Sequence, residues 1–133
     1  VTNLTNSGKY DDFKIGSAKS VDFDTKYTDV EIKNLADRGG FYMKYGEIDI
    51  DELGAKASEI KFDINYTDFL IRRVKSGIQF DIEASYADIT LPNGTEYALN
   101  DEDGSSVHKK GHSKNGLTII KGYSRYGDVT IRD

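Results

Sequence analysis

Cysteine is absent from the 133 residues and proline occurs once. Without cysteine there is no disulfide framework, no zinc–thiolate centre and no thiol nucleophile, while the redox compartment stays open. No run of about 18 apolar residues occurs, so no segment reads as a membrane-spanning helix. A basic stripe is missing too: 18 Lys and Arg against 23 Asp and Glu leave a net charge of −5. That balance argues against nucleic acid as a partner. Both signs are interspersed along the chain, as on a solvated surface. The chain opens on Val1-Thr2-Asn3 with no secretory apolar segment behind it, which predicts a mature chain whose targeting segment has been removed.

What is present points to β structure. Nine Tyr, six Phe and thirteen Gly accompany many Ile and Val, the residues of strands and tight corners. Apolar residues make up 37%, little for a compact two-layer fold but enough for a narrow, elongated core. A string of Tyr-x-Asp/Glu followed by two alternate apolar residues occurs six times, at Tyr10, Tyr27, Tyr45, Tyr66, Tyr86 and Tyr126. The tyrosines are 17, 18, 21, 20 and 40 residues apart, and the last interval reads as two periods with one degenerate coil between. Ahead of each tyrosine runs an alternating strand, such as Ile60, Phe62, Ile64 and Tyr66. Period-two alternation puts such residues on one face. Behind the tyrosine the parity flips, so that Val30 and Ile32 become the inward candidates. An odd step of this kind requires a corner at the Thr, Gly or Ala and Asp pair. Leu35, Leu53 and Val74 supply a third inward position.

One such unit cannot bury its own apolar side, whereas stacked units can, each side-chain row meeting its equivalent about 4.8 Å above and below. The expected fold is therefore an all-β, single-stranded, right-handed parallel β-helix or solenoid. It has six to seven coils of about 20 residues in one domain over 1–133. An antiparallel sandwich is the alternative, and it needs hairpin turns that are scarce here. Residues 93–116 break the pattern with turn formers and charges, and they predict an irregular coil carrying an extended, mobile loop.

The strings Lys-Tyr-Thr-Asp-Val-Glu-Ile (26–32) and Ser-Arg-Tyr-Gly-Asp-Val-Thr-Ile (124–131) resemble those of the bacterial β-solenoid adhesin families. These include the auto-transporter-adhesin-like head domains common in Bacteroidetes envelopes. The resemblance spans nearly the whole chain. It implies an exported protein of the periplasm, outer membrane or cell surface, or one held by a lipid anchor outside this chain, with no established enzymatic activity. The shared motif describes a coil and carries no catalytic residue.

Each candidate site has a structural reading beside the functional one. Tyr10, Tyr27, Tyr45, Tyr66, Tyr86 and Tyr126 could form a sugar-stacking strip. Because they continue the inward parity of the first strand, an aromatic ladder at the corner of the core is the expectation. Asp12, Asp29, Glu47, Asp68, Asp88 and Asp128 form an acidic column that needs compensation. Backbone amides within each coil would supply it through Asx-type turns. Calcium between coils, on Asp29, Glu47, Asp68 and Asp88, is the metal alternative, though it lacks the glycine-rich nonapeptides of calcium solenoids. His108 and His112 have the spacing of one helical face, but Gly111 and the polar surroundings make them ordinary surface residues. Asp101-Glu102-Asp103-Gly104 fails the register of a calcium loop. Arg72, Arg73 and Lys75 read as a solvated or cross-coil ion-paired face; a lyase base would need a cleft of acidic metal ligands. Sequons at Asn3, Asn65 and Asn93 carry no weight.

These readings favour a rigid, exported, non-enzymatic scaffold without cofactor, presenting loops or a flat face to a glycan or an envelope protein. A self-polymerising filament of the bactofilin kind is the second reading, since little sequence is left for caps and uncapped coils can associate end to end. A β-helix enzyme acting on polysaccharides is the third.

Overall fold

Alternation of apolar and polar residues runs through most of the chain, and the structure, a computed structural model, turns it into strands. It describes residues 3–9, 12–54, 58–74, 77–92, 95–113 and 118–132. Among them, ten strands form one sheet: β1 (Asn3–Lys9), β2 (Asp12–Lys26), β3 (Asp29–Leu53), β4 (Glu59–Ile71), β5 (Ile78–Ser85), β6 (Ile89–Thr90), β7 (Glu96–Asp103), β8 (Ser106–Ser113), β9 (Thr118–Arg125) and β10 (Val129–Ile131). No helix among these residues is long and apolar enough to cross a membrane. The protein is all-β and its sheet is mixed, with parallel pairing predominant.

A straight strand of 25 residues like β3 would extend about 80 Å. Instead β3 bends, and its end returns onto its start: Tyr27 N–H donates to Lys44 O and Gly54 N–H to Leu35 O, both at 2.8 Å. Parallel register follows the sequence repeat. Asp12 pairs with Asp29 and Ser20 with Arg38, steps of 17 and 18, and Arg38 then pairs with Glu59, a step of 21. Equivalent side chains therefore lie over one another. Phe13 sits on Val30, Ile48 on Phe69, and Val129 between Phe69 and Ile89. The facing column runs Phe23, Phe41, Phe62, Gly122 and Ile82. Val30, Ile48, Phe69, Ile89 and Val129 are buried, with Phe13 packed against them, and Phe62 stacks on Phe69 at 4.6 Å to join the two walls. Leu35, Leu53 and Val74 close the third side, all buried.

The corner has a specific backbone cause. Tyr27, Tyr45, Tyr66, Tyr86 and Tyr126 have φ of 56, 60, 52, 55 and 60°. One left-handed residue between two extended stretches reverses which way the next side chain points, which is the parity flip of the sequence. For a residue with a Cβ this conformation costs about 1–2 kcal/mol. The residue after the tyrosine is selected by its neighbour in space. A Cβ on Gly46 would lie 1.9 Å from Thr28 O, and one on Gly127 would lie 2.0 Å from Thr67 O. Thr28 and Thr67 are buried and donate to the carbonyls of Lys26 and Asn65. In spatial order the position reads Thr28, Gly46, Thr67, Gly127, Ala87.

That order corrects the sequence expectation of consecutive coils. The sheet runs β1-β2-β3-β4-β9-β5-β8-β7, with β10 bonded to both β4 and β6. No degenerate coil separates Tyr86 from Tyr126, whose rings stack; the β9–β10 segment inserts between β4 and the β5–β6 segment. The connection that allows this is the region expected to be an irregular, mobile loop. Its described part, residues 95–113, is a hairpin instead, with 93–94 and 114–116 outside the described residues: β8 runs antiparallel to β5, β7 antiparallel to β8, and Gly104 turns between them at φ 59°. Polar residues tolerate strand geometry there because β7 is wholly exposed and forms an edge.

Two stability predictions follow from this packing. Gly46→Ala or Gly127→Ala forces backbone apart and is expected to cost about 3 kcal/mol or more. Gly16→Ala, with nothing within 4 Å of its Cβ, should be neutral or gain up to about 1 kcal/mol. Urea unfolding of the three variants checks the contrast. Thr25 Oγ1 is, among the described residues, the buried side-chain polar atom with no hydrogen-bond partner. Thr25→Val keeps the shape and removes the orphan, so its urea midpoint should rise, by about 1 kcal/mol in stability.

Candidate functional site

Side chains that leave the corners form the first feature. The rings of Tyr27, Tyr45, Tyr66, Tyr126 and Tyr86 stack in that order at 4.9–5.0 Å, with planes within 7° of parallel. They are 44–62% exposed, so the column stands on the outer corner and does not continue the inner row as the parity suggested. The left-handed φ is the reason. Tyr10 lies outside the described residues. Each inner ring has a tyrosine on both faces, which leaves only edges and hydroxyls to solvent and removes these rings as platforms for a sugar.

Beside the tyrosines runs the acidic column. Asp29, Glu47, Asp68, Asp88 and Asp128 are exposed. Asp68 Oδ1 accepts the backbone N–H of Asp128, and Asp128 Oδ1 accepts that of Asp88, each at 3.0 Å. For Asp68 and Asp128 the compensating amide thus belongs to the neighbouring segment and not to the same coil. Parallel register of β10 with β4 and β6 brings these two acids within reach of those amides. Arg72 forks onto Asp49 at 2.8 and 3.0 Å and reaches Asp51 at 3.4 Å. The hydrogen bond to Asp49, followed by its charge, raises the guanidinium pKa. The Arg73 carbonyl accepts Leu53 N–H, and Lys75 lies outside the described residues.

A further exposed surface is the outer face of the strands that precede the corners. Register aligns one row as Asp24, Tyr42, Asp63, Tyr123, Glu83, His108 and Asp101. The next row holds Lys26, Lys44, Asn65, Arg125 and Ser85. Tyr42 is 52% exposed and stands between two shallow grooves of about 270 and 190 Å³. One is lined by Asp22, Arg38 and Lys61, the other by Asp24, Lys44 and Asn65. Gly40 keeps the first groove open, because a Cβ there would meet Asp22 Oδ1 at 2.7 Å. Tyr123 is half-buried; its hydroxyl bonds Ser85 at 3.0 Å, with Arg125 over the ring at 5.6 Å. The Ser85 bond, then Arg125, lower the phenol pKa. A wider groove of about 590 Å³ crosses β9, β5 and β8, lined by Gln79, Asp81, Lys110, His112, Ile119 and Lys121.

His108 and His112 sit on β8, not on a loop. Four residues along a strand separate them by about 13 Å, so they serve different neighbours. His108 Nε2 lies 2.7 Å from Asp81 Oδ1, and His112 Nε2 lies 3.2 Å from Glu96 Oε2. Asp101, Glu102 and Asp103 end β7 in solvent. Asn3 and Asn65 lie in β1 and β4, and Asn93 falls outside the described residues. Sequence reading passed over Tyr42, Tyr123, Asp81 and Glu83. Tyr42 was visible as an aromatic on the outward parity of the Phe41–Met43 strand. The partners of Asp81 and Glu83 were not, because they depend on the hairpin.

No protein-family model matches the chain, and no curated protein or solved structure matches it.

Stacking on both faces makes Tyr66 worth more than Tyr86, which stacks on Tyr126 alone among the described residues. With about 0.5–1.5 kcal/mol per ring pair, Tyr66→Ala is expected to cost about 1–3 kcal/mol and Tyr86→Ala about half that. Thermal unfolding of the two single variants checks the ratio.

Proposed function

We propose that this chain is a right-handed β-solenoid of six to seven coils of about 20 residues, exported to the periplasm, outer membrane or cell surface. On this reading it is a non-enzymatic, adhesin-like scaffold whose outer face binds a glycan. The observation that carries the reading is Tyr42, an exposed ring with open grooves on both sides, framed by carboxylate, amide and ammonium groups in strand register. An aromatic face takes the C–H side of a pyranose, and planar polar groups exchange hydrogen bonds with its hydroxyls. Tyr123, one row-step beyond Asp63, stands about 10 Å away at two strand spacings, roughly one disaccharide. A protein partner fits less well, because interface cores are depleted of charge and need about 800 Å² per side. Both rows of this face carry several charged residues.

The repeated residues support a non-enzymatic role in another way: Tyr, Thr or Gly, and Asp are occupied in joining coil to coil. End-to-end self-association is disfavoured at the β7 edge by Glu96, Asp101, Glu102 and Asp103, since like charges blunt strand addition.

Screening the purified chain on an array of bacterial and host glycans tests the proposal. Retention of a defined glycan class is expected, with Tyr42→Ala weakening it about tenfold or more, the 1.4 kcal/mol scale of one lost contact. Cell fractionation should place the protein outside the cytoplasm. Binding to no glycan, binding indifferent to Tyr42, or a cytoplasmic location would each overturn it.

A further inference from the structure

We propose that Asp81, Glu83 and His108 form a site for a divalent transition-metal ion of the zinc type, on the outer face where β5 meets β8. Two carboxylates two residues apart on β5 project to the same side, and the antiparallel register puts His108 directly opposite Glu83. Their ligating atoms all lie within 4.8 Å of one another. His108 Nε2 is 2.7 Å from Asp81 Oδ1 and 3.6 Å from Glu83 Oε1. Bond lengths of about 2.0–2.2 Å to zinc put neighbouring ligand atoms roughly 3–3.5 Å apart, and the two measured distances bracket that range. Small rotations about side-chain bonds suffice; the strands need not move.

The donor set selects the class of ion. One imidazole nitrogen with two carboxylate oxygens suits zinc and its first-row neighbours, whereas calcium takes six to eight oxygens. Three protein ligands leave a tetrahedral ion one open position. The surroundings favour a cation: Asp101 lies opposite His108 in the β7–β8 register, and Asp101, Asp103 and Glu83 line a groove of about 270 Å³ together with His108. Lys110 Nζ lies 3.6 Å from Asp81 Oδ2. This ammonium is half-exposed on a flexible stem and swings into solvent when an ion takes its place. The acidic column of Asp29, Glu47, Asp68 and Asp88 holds no imidazole, and Asp68 already serves a backbone amide. The site lies on the same outer face as Tyr42, three strand spacings along the row, and its metal binding does not depend on the glycan reading.

Equilibrium titration of the untagged, metal-stripped chain with Zn²⁺ at neutral pH, read by calorimetry, tests the proposal. One ion per chain is expected, with a rise in thermal midpoint. His108→Ala and the pair Asp81→Asn with Glu83→Gln should each weaken affinity at least a hundredfold. His112→Ala should leave it unchanged, and millimolar Ca²⁺ should not displace the ion. If His108→Ala perturbs folding, His108→Gln with circular dichroism shows whether the fold is kept while the binding goes. Co²⁺ in place of Zn²⁺ should give visible d–d bands that His108 variants lack. Absence of stoichiometric binding in the parent chain, binding unaltered by loss of His108, or dependence on His112 instead would overturn the assignment.

Discussion

Parallel alignment of one tyrosine corner on the next is the constraint on which this molecule depends. A residue with positive φ turns the chain without glycine, and its cost of about 1–2 kcal/mol is incurred at every described corner. Ring stacking with the tyrosines of adjoining segments offsets that cost, and it operates only if the corners coincide in height and direction. Coincident corners in turn align the inner columns, bring Asp68 to the amide of Asp128, and set Thr28 against Gly46. Local strain and long-range order are thus exchanged at the same five residues. The outer face inherits its precision from this alignment, since its rows are the reverse side of the same strands.

Much of the fold was legible in the sequence, because a physical period leaves a written one. Alternation identified the inward rows, and the parity change after each tyrosine located the corner. What misled was the inference that a tyrosine in step with Phe62 and Ile64 must point where they point. A single left-handed residue breaks that rule, and β-region alternation alone does not reveal it. The Thr28, Gly46, Thr67, Ala87, Gly127 series also held a clue. A threonine packs against a glycine and not against another large residue, so Gly127 fits beside Thr67 better than Ala87 does. Local sequence could not give the order of segments, which is decided by pairing across 60 residues.

The polar stretch around 93–116 shows how composition can hide structure. Turn formers and acidic residues in a row look like a loop because most strands hide one face. An outermost hairpin has no such duty, so Glu96–Asp103 keeps strand hydrogen bonds while exposing every residue. The same hairpin creates chemistry that no linear motif announces, by delivering His108 to a pair of carboxylates fixed some 25 residues earlier. Gly111 assists by having no side chain, since a Cβ there would meet Glu96 O at 2.0 Å, and Tyr97 settles edge-on to Phe80.

Insertion of β9 and β10 between β4 and the β5–β6 segment sets this sheet apart from a simple tandem array. In an ordinary tandem array each unit rests on the one made just before, so the stack can grow during synthesis and losing the last unit shortens it by one layer. Here β5 has no parallel neighbour until the final strands arrive, and those strands bridge it to β4. β9 and β10 act as a wedge between β4 and the β5–β6 segment, and their removal would part the sheet at that point. The pairing of β9 with β4 joins residues about 60 apart in sequence, the kind of non-local contact that slows folding.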